Sequence, residues 1–221
     1  MENEKMKFNI VPKNMDESAG KFHEEQIFKI FYLKGKRIPF MRQKTLANCG
    51  PLSIVNGSLA LKEINKKFNL PSNFPQIPQK IRKFLSENQN LRETPFGIAS
   101  SIEIGKNDYA LEGGHIVNLI KKTLAESNIV ITGDRFSGSV PVRDLEIGEK
   151  IKNSDWLICN KDFHYISLIK LDDNDYVFSD SMSDQPRVVN QKFIEDNFFQ
   201  KGNMNPFISM KVKDKIVIIK K

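Results

Sequence analysis

Cysteine is scarce in this chain: Cys49 and Cys159 are the only two among 221 residues. Two thiols cannot build the disulfide framework of a small secreted domain, and this pair lacks the ligand spacing of a zinc site. No apolar stretch approaches the roughly 20 residues that span a bilayer. Residues 1–14 are charged and contain no apolar signal core. A cytosolic protein is therefore the expectation, with export by a route that cleaves no signal left open. Internal repeats and low-complexity segments are absent too. So is any long basic run interleaved with aromatics, which argues against a nucleic-acid-binding protein.

What is present fits one domain, or one domain with a small appended lobe. The hydrophobic fraction is 39%, enough for a sizeable core at this length. The formal charge is +7 and the isoelectric point about 9.3. The basic residues lie in small clusters at Lys34-Gly35-Lys36-Arg37, 62–67, 80–83 and 220–221. Scattered in this way they read as a solvated basic surface, suited to an acidic substrate or partner.

The order of elements reads as α+β. Residues 1–20 are polar, and 24–33 form a short helix or strand. Residues 34–42 read as a basic turn with Gly35 and Pro39. Pro51 sits at the expected first helical position of a long helix over 50–68, buried at its start and more polar later. Three prolines make 69–78 a loop, and 79–88 a helix with Ile81, Phe84 and Leu85 inward. Residues 94–112 stay ambiguous. Gly113-Gly114-His115 reads as a turn before a helix, 129–132 as a strand, 136–141 as a loop and 142–152 as a short helix. The last third is strand-rich: 156–159, 164–171, 176–180, 187–189, 207–212 and 216–219, with a helix over 191–199. Helices first and an antiparallel sheet after make the α+β layout.

The chemistry concentrates where a cysteine opens a helix, in Asn48-Cys49-Gly50-Pro51. A thiol at that place meets the positive end of the helix dipole and unpaired backbone N–H groups, which favour the nucleophilic thiolate. A nucleophilic cysteine also needs a base within hydrogen-bond reach. His164 opens a strand and Asp180 closes the next, with Asp172-Asp173-Asn174-Asp175 as the hairpin turn between them. Counting back and forward from that turn brings His164 level with Asp180, so the carboxylate can orient the imidazole. Gln43, six positions before Cys49, can donate to a developing oxyanion together with the Cys49 N–H.

Plainer readings exist for each. His164 also suits a satisfied core position, Asp180 a turn and Gln43 a solvated loop. His115 competes for the role of base, though no hairpin delivers an acid to it. His23, beside Glu24 and Glu25, hints at a metal, but no second cluster supports one, and no cofactor is called for. Cys159 reads as an inert core residue of a strand.

Taken in order, Gln43 with Cys49-Gly50-Pro51, His164-Tyr165-Ile166-Ser167-Leu168 and Asp180 resemble the papain-like cysteine peptidases. They are most similar to the branch of bacteriocin leader-processing peptidase domains and their relatives. The resemblance implies Cys49 as nucleophile, His164 as general base, Asp180 as its orienting partner and Gln43 in the oxyanion hole. It implies a papain-like fold over 43–221, after an N-terminal extension over 1–42. It departs from the family at Ser181, where a proline commonly follows the acid. Residues 69–128 carry no resemblance, so substrate specificity does not transfer. The implied activity is acyl transfer, foremost cleavage of a peptide or isopeptide bond in a peptide or protein. Deamidation and transacylation use the same groups, and a catalytically silent binding module is the rival reading.

Overall fold

The structure, a computed structural model, describes residues 28–43, 48–88, 108–134, 144–161, 164–200, 203–204 and 207–214. A hairpin comes first, β1 (Phe28–Leu33) and β2 (Lys36–Met41), followed by three helices: α1 (Cys49–Ile64), α2 (Pro78–Asn88) and α3 (Asp108–Thr123). Strand β3 (Ile129–Asp134) and helix α4 (Asp144–Asn153) lead into β4 (Trp156–Lys161), β5 (His164–Lys170), β6 (Asp175–Ser179) and β7 (Arg187–Asn190). Helix α5 (Gln191–Phe198), the small pair β8 (Phe199–Gln200) and β9 (Asn203–Met204), and β10 (Phe207–Val212) complete it. Six strands form one antiparallel sheet in the order β3-β10-β4-β5-β6-β7. The α+β layout expected from the sequence is the one observed.

Side chains of successive strand residues point to opposite faces, and here both faces are covered. Trp156, Ile158, Ile169, Val177, Ile208 and Met210 join the larger core with α1, α2 and α3. Their neighbours Leu157, Cys159, Ile166, Leu168, Tyr176, Phe178 and Phe207 join a second core with α4 and α5. The Tyr176 hydroxyl donates to the Ile151 carbonyl at 3.1 Å, fixing α4 to that second face. The two cysteines thus belong to opposite sides of the sheet: Cys49 opens α1, and Cys159 is fully buried in the other core.

Helix α1 is buried from Cys49 to Leu61, all round its axis, as befits a central helix. Small residues let its neighbours close in. A Cβ on Gly57 would lie 2.4 Å from the Trp156 indole, so only glycine leaves room for that ring. Met41, at the end of β2, is held by the side chain of Asn56 of α1. Ile38 and Met41 lie in the same core as α1, so residues 28–41 pack as part of this body. Among the described residues, no helix is long and apolar enough to cross a membrane.

Several elements differ from the sequence reading. Only Lys34 and Gly35 turn, both at positive φ, and the expected basic turn beyond them is strand β2. Pro39 is tolerated there because β2 pairs on one side only, with β1. Helix α1 stops at Ile64, where Asn65 turns extended. Phe68, whose apolar spacing prolonged the expected helix, is buried from the following loop instead. Pro51 is the third helical residue, not the first, still inside the turn whose N–H groups have no helical acceptor. Gly113, Gly114 and His115 lie within α3 rather than before it. The expectations for 1–20, His23, 24–27, 94–107, 136–141 and 216–219 lie outside the described residues.

Candidate active site

Three of the four candidates meet where α1 and β5 begin and β6 ends. The ring of His164, first residue of β5, donates from Nε2 to Asp180 Oδ1 at 2.7 Å. Its other face takes a hydrogen bond with the Cys49 thiol. Because Nε2 is committed to Asp180, Nδ1 is the nitrogen left for sulfur. The order along the ring is therefore thiol, imidazole, carboxylate. Cys49, His164, Asp180 and Gln43 keep only 8–9% of their surface exposed, so water has little access to the site.

The register of the hairpin explains how His164 and Asp180 meet, and it corrects the expected one. Ser167 pairs with Ser179 and Leu168 with Phe178. Continuing that ladder by one step sets Asp180 opposite Ile166, two residues short of His164. The pair is thus diagonal, on one face of the sheet, at a spacing that polar side chains bridge. The hairpin is centred on Asp173, one residue later than the count assumed. Asp172 Oδ1 accepts from the Asn174 and Asp175 N–H groups at 3.1 and 2.9 Å, and β6 starts at Asp175.

Hydrogen bonds bind the helix start to the strand that carries His164. The Ser167 hydroxyl donates to the Ser53 carbonyl at 2.6 Å and accepts from Trp156 Nε1 at 3.2 Å. The Ser53 hydroxyl donates to the Gly50 carbonyl at 2.7 Å, within the turn that carries Cys49. Beyond Gly50, Tyr165 and Ile116 approach to where a Cβ would touch them at 3.4 Å. Nothing in the sequence singled out Ser53, Ser167 or Trp156, because each acts through a partner distant in the chain.

Burial and hydrogen bonding oppose one another at His164. Burial alone pulls the His164 imidazolium down, but the bonds to Asp180 and Cys49 and the charges of both outweigh it. The result is a histidine raised to about 9. Burial likewise pushes the Asp180 carboxyl up. The His164 bond and charge, the Met182 N–H and the Ser183 hydroxyl prevail, and Asp180 lies below its ordinary value. Those last two donors reach Oδ1 at 2.8 Å and Oδ2 at 3.3 Å. The arrangement favours a protonated imidazole held against the Asp180 carboxylate.

Gln43 is buried beside this trio rather than solvated in a loop. Its backbone N–H donates to the Ser181 carbonyl at 2.8 Å, and the Ser181 hydroxyl donates to its Oε1 at 2.5 Å. Ser181, read from the sequence only as a departure from a family pattern, is the residue that joins Gln43 to the acid's turn. His115 lies on α3, and His23 is outside the described residues. Cys159 is sealed in the far core, where burial drives its thiol up. Among the described residues, no group of three or more His, Cys, Asp or Glu side chains is arranged to hold a metal ion.

No protein-family model matches the chain, and no curated protein matches it either.

Proposed function

We propose that this protein is a cysteine-dependent acyl hydrolase of papain-like fold, and that the bond it cleaves is a peptide or isopeptide amide. The observation that carries the reading is the buried relay of Cys49, His164 and Asp180, with the thiol on the first turn of a central helix. Such a relay supplies each step that amide cleavage needs. His164 holds the thiol proton, leaving sulfur as thiolate. Sulfur attacks the carbonyl carbon, and the π pair moves to oxygen. Gln43 and the Cys49 N–H donate to that oxyanion, a contribution of about 3 kcal/mol for one such donor in comparable sites. The imidazolium gives its proton to the departing amine. Water, deprotonated by the same imidazole, then releases the acyl group from sulfur. Asp180 keeps the ring in one orientation throughout, and the net charge of +7 favours acidic substrates.

The test begins with iodoacetamide at about pH 6, wild type beside His164→Ala, with the labelled residue identified by mass spectrometry. Fast labelling confined to Cys49, and lost in the variant, supports the activated pair. Peptide-library cleavage then identifies the bond. Slow labelling that is the same in both proteins refutes the pair and leaves a binding module. The buried Cys159 is the internal control.

A further inference from the structure

The turn that follows β6 does two jobs on adjacent residues. Asp180 holds the imidazole, and Ser181 holds Gln43 by a bond in each direction, through the Gln43 N–H and through Oε1. Ser181 is itself 2% exposed, so no water competes for its hydroxyl from bulk solvent. A primary amide has an acceptor end and a donor end, and an unrestrained side chain presents either. In an oxyanion hole the acceptor end is repulsive. The Ser181 hydroxyl occupies Oε1, which turns the Nε2 donors to the side away from Ser181, where among the described residues no acceptor takes them. The same seam is tied again one residue outward, where Arg42 Nη1 meets Asp184 Oδ1 at 2.6 Å. The Ser183 N–H closes the turn on the Asp180 carbonyl at 3.0 Å.

We infer that Ser181 is a positioning residue, which fixes the Gln43 amide with its N–H donors toward the oxyanion formed on a substrate bound to Cys49. The inference rests on the proposed acyl chemistry. It ties the acid and the oxyanion donor to one turn, so both halves of the site are set by residues 180–183.

Two reagents that consume the same thiol separate this role from a structural one. In iodoacetamide alkylation sulfur displaces iodide from a methylene carbon, and no oxyanion forms. With p-nitrophenyl acetate sulfur attacks the carbonyl carbon, charge collects on oxygen, and p-nitrophenolate leaves as the thioester forms. Only the second reaction needs Gln43. Both are followed in wild type, Ser181→Ala, Gln43→Ala and the double variant. The expected result is acylation slowed by about 10- to 100-fold in Ser181→Ala, with alkylation within about twofold of wild type. In the Gln43→Ala background the serine substitution should add nothing, because its effect runs through the amide. Unchanged acylation in Ser181→Ala overturns the inference. So does alkylation that slows in step with acylation, or an equal loss in the Gln43→Ala background. Wild-type protein that is neither alkylated quickly at Cys49 nor acylated overturns the hydrolase reading itself, a result distinct from the other three.

Discussion

Asn56 completes the backbone of Met41: its Oδ1 accepts from the Met41 N–H at 3.0 Å, and its Nδ2 donates to the Met41 carbonyl at 2.9 Å. A side chain of α1 thus takes the place of a further strand at the end of β2, two residues before Gln43. Asn56→Ala leaves two buried backbone groups without partners. A cost of about 2–4 kcal/mol is expected, read as a lower urea midpoint at unchanged slope. A loss below about 0.5 kcal/mol would show that water or a shifted chain replaces the amide.

Gly57 and Trp156 make the closest approach between α1 and the sheet. The indole carbon 2.4 Å from a hypothetical Cβ belongs to a ring whose Nε1 is tied to Ser167. It cannot swing aside without breaking that bond. Gly57→Ala is expected to cost about 3 kcal/mol or more despite the better helix propensity of alanine. Thermal denaturation of the variant decides the matter, and a raised Tm would mean that the helix shifts freely over the sheet.

Asp180→Asn keeps the shape of the acid and removes its charge. Burial, the largest influence on His164, then acts with less opposition. The imidazole of the variant should titrate below the wild-type value of about 9, by NMR of the ring carbon protons. The acylation rate should fall by about 10²-fold or more, the usual weight of a general base held in place. A wild-type titration curve in the variant would mean that Asp180 does not set the charge state of the base.

The pH dependence of stability has a defined sign. His164 is raised in the folded state to about 9 from an ordinary 6.5, so its contribution is fully present below about pH 6.5. That contribution, roughly 3 kcal/mol, is lost as pH rises from 6.5 through 9. Asp180 is lowered, so its share of the same bond is present above its ordinary value of 3.8 and is lost as pH falls below it. Urea midpoints at pH 6, 7.5 and 9, taken as the difference between wild type and His164→Ala, should converge toward the alkaline end. Parallel curves would show that the ring is not held as imidazolium. Activity should fall through the same alkaline range, as the imidazolium that supplies the leaving-group proton disappears.

The site was legible in the sequence where local grammar carries it. Asn48-Cys49-Gly50-Pro51 marks a helix start by its own residues, and the strands of His164 and Asp180 show in their apolar runs. The hairpin between them was legible in kind but not in register. The turn carrying the Asp172 Asx bonds is centred one residue later than the composition suggests, and the resulting two residues of slip separate a facing pair from a diagonal one. Strand β2 was missed because Gly35, Pro39 and three basic residues read locally as a turn. Its extension comes from pairing with β1 and from Asn56, neither of which its own residues announce. Ser181 was opaque for the same reason, since its partner Gln43 is 138 positions away.

Sheet order also has a consequence for biosynthesis. Strand β10 lies between β3 and β4, so among the described strands β3 has no partner until residue 212 has been made. Lys34 at the tip of the first hairpin pairs with Asp172 and Asp175 at the turn before β6, and Gln43 waits for Ser181. Joining segments so far apart carries a loop-closure cost that near neighbours do not meet, and assembly is correspondingly slow. A ribosome that has made Cys49 has therefore not yet made His164, Asp180 or Ser181. The Cys49 thiol emerges without His164 and Asp180 and meets them only once most of the chain exists, so on the proposed chemistry the site stays silent until synthesis is nearly complete.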